Sequence, residues 1–155
     1  MIVTSREQVN LPSIAQGEVV PDLYPGKGPL GGIYTGLVAS QSSHSIVVAC
    51  DMPFLNIELL GHMVELSCDF DAVVPRLGER MLEPLHAVYA RSCLTGMKER
   101  LEQGRLGVHS FLKTVAVRYI ERDECERFDP ELLSFFNINY QSDLDRAVAL
   151  IAEGK

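Results

Sequence analysis

The sequence predicts an α/β domain with a mostly parallel sheet and helices on both faces. Three observations predict it. Short β-type runs and helical segments alternate along the chain, with no repeat or low-complexity stretch between them. The most apolar run, Ser45-Ile46-Val47-Val48-Ala49-Cys50, is continuous rather than alternating, as in a parallel strand covered on both sides. The 155 residues are 46% hydrophobic and 23% charged, which suits one domain, 1–155, with a buried core and no internal linker.

The elements follow in order. Ile2-Val3-Thr4 is a short β-type run, and Gly17 to Asp22 gives a second, weaker one. Pro25 to Gly32 is a Gly/Pro-rich loop, and Ile33 to Ala39 reads as a short helix. After the apolar strand, Asn56 is an N-cap candidate for a helix through about Ser67, with Leu59, Leu60, Met63 and Leu66 on one face. Asp71 to Pro75 is another buried-type strand, followed by a turn around Gly78. Leu85 to about Gln103 has helical spacing, with Gly104 suited to its C-terminal cap. Thr114 to Ile120 alternates like a strand with one wet face. Asp129-Pro130-Glu131 signals a short helical turn. A last helix is capped by Ser142, with Leu144, Ala147, Val148 and Ile151 inward.

Charge excludes some function classes. With 14 Lys plus Arg against 21 Asp plus Glu, the net charge is −7, and no basic cluster appears. That opposes non-specific binding to nucleic acid or anionic membrane. A small anionic ligand stays open, because a few backbone amides and one metal ion hold it locally. No apolar run reaches the roughly 20 residues needed to cross a bilayer, and the start has no signal-peptide pattern. Cys50, Cys68, Cys93 and Cys125 form no C-x-x-C pair, so they read as reduced thiols of a cytoplasmic protein.

Two places stand out chemically. Gly26-Lys27-Gly28-Pro29-Leu30-Gly31-Gly32 precedes a helix, where glycines admit a close ligand and amides attract anions; it is equally an ordinary loop of turn formers. Cys50-Asp51-Met52-Pro53 follows the most apolar strand, at the strand end where ligands gather in open sheets. Asp51 is well placed to hold Mg²⁺ bridging phosphates, or caps the turn before proline. Weaker candidates have two readings each. His86 packs or binds; Arg76 and Arg80 meet an anion or are solvated. Asp22 touches a ribose or starts the turn; Asn137 and Asn139 bind a ligand or tie down backbone.

Taken together, these segments resemble the molybdenum cofactor guanylyltransferase family (molybdopterin-guanine dinucleotide biosynthesis protein A). The carrying residues occur in family order: Val20-Pro21-Asp22, Gly28-Pro29-Leu30-Gly31-Gly32-Ile33, Ala49-Cys50-Asp51-Met52-Pro53-Phe54 and Val73-Val74-Pro75-Arg76. They continue with Glu83-Pro84-Leu85-His86-Ala87-Val88-Tyr89 and Phe136-Asn137-Ile138-Asn139, followed by Ser142-Asp143-Leu144. The resemblance implies a Rossmann-like fold of the nucleotide-diphospho-sugar transferase type. It implies transfer of GMP from GTP to the phosphate of molybdopterin, with Mg²⁺ as cofactor and pyrophosphate released. Carried over, Asp51 is the catalytic metal ligand, and Asp22, Gly28, Pro29, Leu30 and Gly31 lie on the nucleotide side. Arg76, His86, Asn137 and Asn139 line the pterin side. GTP and molybdopterin are the implied partners, with molybdoenzymes or other cofactor-biosynthesis proteins beside them.

The family also opens with a first strand and the loop L-A-G-G-x-S-x-R-M-G-x-D-K, which wraps the triphosphate. Here Ile2-Val3-Thr4 looks like the family's second strand, and Ser5 stands where the family often has Asn. The chain therefore reads as an N-terminally shortened member, lacking a strand from the middle of the sheet. Alternatives are a cytidylyltransferase or sugar-phosphate nucleotidyltransferase of the same fold, or a catalytically inactive relative that binds pterin or a partner.

Overall fold

The computed structural model describes residues 1–4 and 18–154; the expectations for Ser5 and for Gly17 lie outside the described residues. Two short strands, β1 (Ile2–Thr4) and β2 (Val19–Pro21), pair in parallel. Helix α1 (Gly28–Ala39) leads to β3 (His44–Val48), and α2 (Ile57–Glu65) ends in a 3₁₀ turn, Leu66–Asp69. Then come β4 (Ala72–Gly78), β5 (Met81–Leu82), β6 (His86–Ala90), α3 (Cys93–Glu102) and α4 (Val108–Leu112). The last elements are β7 (Val117–Glu121), α5 (Arg122–Glu126), a 3₁₀ turn Leu133–Phe135 and α6 (Gln141–Ala152).

The second sheet runs β3-β6-β4, with β5 continuing along β4 after β6 and β7 on the opposite edge of β4. The α/β class stands, and one detail is corrected. The sheet is mixed, because β6 lies antiparallel to both β3 and β4. Strands β3, β4 and β7 therefore share one direction, and their carboxyl ends lie at one end of the sheet.

Period-two alternation places the core on both faces. Ala72, Val74, Ala87 and Tyr89 pack with Leu30, Ile33 and Leu37 of α1 and with Cys93, Met97 and Leu101 of α3. Val73 and Val88 face the other way, onto Leu59 and Met63 of α2 and onto Cys125 of α5. Each buried side chain of this kind contributes about 1.5–3 kcal/mol. Helices thus cover both faces, as expected.

Several element expectations need correction. The helix placed from Leu85 splits: His86 to Ala90 is a strand, and only Cys93–Glu102 is helical. All five residues of β6 are buried, so neither face is wet and no alternation betrays the strand. Helix α1 starts at Gly28, inside the expected loop, because Pro29 suits a first helical turn and Leu30 seats in the core. β3 is not covered on both sides: Ile46 and Val48 are exposed, and β3 pairs with β6 alone among the described strands. On α6 only Ala147 is buried; Leu144, Val148 and Ile151 are exposed. The Asp143 carboxylate, not Ser142, accepts the Tyr140 N–H at the start of α6.

The β1–β2 pair and the larger sheet are not joined by any strand pairing among the described residues. Helix α1 contacts β1, β2 and β3, and so bridges them.

Candidate functional site

Strand direction builds the site. Asp51 follows the carboxyl end of β3, and Arg76 lies near the carboxyl end of β4. His86 opens the antiparallel β6 opposite Val48, so it arrives at the same end. The Ala49 N–H donates to Leu85 O at 2.8 Å, and the Ile138 N–H donates to Asp51 O at 2.9 Å. Asp51, His86 and the Phe136–Asn139 segment, three separate parts of the sequence, therefore meet at one sheet end.

Asp51 does not cap the following turn. Its Oδ1 is buried without a hydrogen-bond partner among the described residues. A buried carboxylate oxygen left unsatisfied is costly unless something absent from the chain pairs with it. The main chain around it is fixed independently: Met52 N–H donates to Ala49 O, Met52 is buried, and Phe54 meets Phe136 edge-on at 5.8 Å.

His86 is fully buried, and neither ring nitrogen has a partner. Its ring packs edge-on against Phe135 at 5.0 Å. Burial pushes its pKa down to about 4, against a weaker opposing pull from the Asp129 charge. His86 is thus a buried, neutral ring at this sheet end, with both ring nitrogens unpartnered among the described residues.

Arg76 is committed elsewhere. Its Nε donates to both Glu121 oxygens at 3.0 Å, and its guanidinium lies over the Tyr119 ring at 4.7 Å. It lines an open groove of about 690 Å³ with Glu79, Glu121, Arg122, Asp123 and Glu126, and Asp51 is not in that lining. Four carboxylates to two guanidiniums suit a cation better than an anionic pterin phosphate. Asn137 donates from Nδ2 to Phe135 O at 3.2 Å, which holds its own loop. Asn139 is exposed, and its backbone N–H donates to Asp143 Oδ2 at 3.0 Å.

The second candidate region lies at the β2–α1 junction. Asp22 Oδ1 accepts the Tyr24 N–H and the Thr35 hydroxyl, both at 2.9 Å, so Asp22 starts the turn and ties it to α1. Gly28 has φ +68°, which only glycine adopts freely. The first turn of α1 has neither a side-chain cap nor an acidic residue; Gly28 is exposed there, Pro29 carries no N–H, and Leu30 and Gly31 are buried. Leu30 is fully buried in the core and offers a ligand no accessible surface, whereas Pro29 is exposed. At Gly31 a Cβ would stand 3.1 Å from Tyr24 O, so the turn packs closely against this glycine.

Three features escape the residue-by-residue reading. Glu83 is half-buried, and burial raises its carboxyl pKa; its backbone N–H donates to Pro75 O, at the same sheet end as Asp51. A carboxylate before proline in E-P-L-H was the available signal. Arg146 lies over the Phe136 ring at 5.5 Å, and no sequence pattern announces that pairing. Asn56, expected only as a cap, also bonds a distant loop. No group of three or more His, Cys, Asp or Glu suited to a metal ion occurs among the described residues.

Comparison with known proteins gives consistent matches. The family described as MobA-like NTP transferase domain matches residues 1–121. A probable molybdenum cofactor guanylyltransferase of Peptoclostridium acidaminophilum is 37% identical over 162 residues, covering 100% of this chain and 72% of the relative. One from Methanosarcina mazei is 43% identical over 125 residues, covering 78% of this chain and 54% of the relative. Among solved structures, molybdopterin-guanine dinucleotide biosynthesis protein A from Archaeoglobus fulgidus superposes with a TM-score of 0.76 at 33% identity. It covers 88% of this chain and 69% of that one. The chain thus spans between about half and three quarters of the length of these relatives.

Proposed function

The chain belongs to the MobA-like NTP transferase domain family, and from that premise we propose that it is a guanylyltransferase moving GMP from GTP to the phosphate of molybdopterin. The observation that carries the reading is the buried, unpartnered Oδ1 of Asp51 at the carboxyl end of β3. A phosphate oxygen of the acceptor attacks the α-phosphorus of GTP, the α–β bridging bond breaks, and pyrophosphate leaves with the electron pair. No covalent intermediate with the protein is needed.

The donor set fits Mg²⁺, which is bound through one or two carboxylates plus substrate phosphates rather than by an all-protein cage. Asp51 would hold it; Glu83 is a further carboxyl at this sheet end. When bound, the ion neutralises charge on the phosphates. The exposed Gly28 at the start of α1 lies on the nucleotide side, on a loop that Asp22 orients. Asn139 and the Asn137 loop border the acceptor side, anchored to Asp51 through Ile138. His86 remains neutral beneath them near pH 7. The cytoplasm suits this chemistry, in keeping with four free cysteines.

We read the strand and L-A-G-G loop implied by the resemblance as lying between β1 and β3, both of which α1 contacts. We read that loop as completing the triphosphate side of the site. Release of pyrophosphate from GTP that requires molybdopterin tests the proposal. Hydrolysis of GTP without acceptor, or no release in the presence of both, counts against it.

A further inference from the structure

Besides accepting the Leu60 N–H at its carbonyl, Asn56 makes three hydrogen bonds from one position. Its Oδ1 accepts the Leu59 N–H at 2.9 Å, which caps α2. Its Nδ2 donates to the Phe128 carbonyl at 2.9 Å, 72 residues away. Its backbone N–H donates to Ser134 Oγ at 3.3 Å, 78 residues away. A helix cap needs only the first of these. The other two fasten the start of α2 to both ends of the loop from Phe128 to Ser134.

That loop is built to hold one shape. Asp129 is 6% exposed, and its carboxylate accepts the Leu133 N–H at 3.1 Å and the Ser134 N–H at 2.7 Å. Leu132 has φ +53°, a conformation a leucine keeps only where its surroundings impose it. Directly after the loop, Phe135 meets His86, Phe136 meets Phe54, and Ile138 bonds the Asp51 carbonyl. Asn56 therefore sits at one end of a frame whose other end is the Asp51 main chain.

We infer that Asn56 is a positioning residue: it clamps the Phe128–Asn139 segment to the Asp51 loop and so sets where Asn137 and Asn139 stand relative to Asp51. The consequence for catalysis rests on the functional reading above; the clamp itself does not. It acts on the acceptor side of the site, because Asn137 and Asn139 are what it places. The helix cap and the clamp use different atoms of one side chain, which makes them separable by substitution.

Asn56→Asp separates them. Aspartate keeps the acceptor for Leu59 N–H and the backbone N–H for Ser134, but loses the donor to Phe128 and sets oxygen against oxygen. Amide hydrogen exchange should leave α2 as protected as in the parent, while the Ile138 amide exchanges about tenfold faster, the scale of one lost hydrogen bond. In guanylyl transfer, the KM for molybdopterin should rise about tenfold while kcat stays within about threefold, a split that general destabilisation would not produce. Asn56→Ala, which loses cap and clamp together, should loosen α2 and Ile138 alike. Unchanged Ile138 exchange in Asn56→Asp, equal loosening of α2 and Ile138 in that variant, or an unchanged KM would overturn the inference. If the parent transfers no nucleotide, the functional reading fails, and the exchange comparison alone then decides the clamp.

Discussion

The Ile138 N–H donates to the Asp51 carbonyl oxygen at 2.9 Å, while Oδ1 of the Asp51 carboxylate is buried with no partner among the described residues. The main chain of this residue is therefore used for structure and its Oδ1 is not. Two segments far apart in sequence, C-D-M-P and F-N-I-N, are joined through that bond without consuming the carboxylate.

From this follows the first prediction. Asp51→Asn should fold normally, since Oδ1 holds no hydrogen bond among the described residues. Mg²⁺-dependent GTP binding should weaken by about ten- to a hundredfold, the scale of a charge-assisted contact worth about 1.5–3 kcal/mol. Calorimetry giving equal Mg²⁺–GTP affinity for the two forms would remove Asp51 from the metal role.

Gly31→Val should destabilise the fold itself. Its Cβ would stand 3.1 Å from Tyr24 O in a buried position, tighter than ordinary contact, and valine adds two branches beyond it. Overpacking of this kind costs about 1–3 kcal/mol, or roughly 2–12 °C in melting temperature at this chain length. A thermal melt showing no change, together with lost nucleotide binding, would instead make Gly31 a ligand-approach position.

The sheet end that carries Asp51 was legible in the sequence because an apolar β-branched run ending in Cys50-Asp51 marks its own direction. β6 was not. His86-Ala87-Val88-Tyr89-Ala90 is buried on both faces, so it has no polar face to reveal its period, and its spacing blends into that of α3. Arg76 illustrates a different limit: its partner Glu121 lies on β7, and only the parallel register of β4 and β7 brings the two together. For Asn56 the local cap was visible, whereas its bond to Phe128 depends on tertiary folding.

Acid should destabilise the protein through His86. Burial holds its folded pKa at about 4, below the ordinary 6.5, so the unfolded chain binds the extra proton first. Stability should be full above about pH 6.5 and fall progressively as pH drops towards about 4, by on the order of 3 kcal/mol. The carboxylates of Asp71, lowered by bonds from Ser92 and Ala116, and of Glu124, where bonds from His62 and Arg118 outweigh burial, add their own loss at still lower pH. Denaturant titration of His86→Leu between pH 6.5 and 4 should show a flatter slope than the parent; an identical slope would assign the effect to other groups.

A protein carrying the strand and L-A-G-G loop ahead of Ile2 should protect β3 amides that β6 does not bond, because a strand between β1 and β3 supplies their partners. Hydrogen exchange compared with and without that segment checks this. Equal exchange along β3 would place the added segment elsewhere.

The most direct measurement is product analysis by mass spectrometry. The protein carrying that strand and loop is incubated with Mg²⁺, molybdopterin and either GTP or CTP, beside its Asp51→Asn variant. The account predicts molybdopterin guanine dinucleotide and pyrophosphate from GTP, little from CTP, and a sharp drop in the variant. A cytosine dinucleotide instead, or no dinucleotide from a folded protein that still binds molybdopterin, would contradict it.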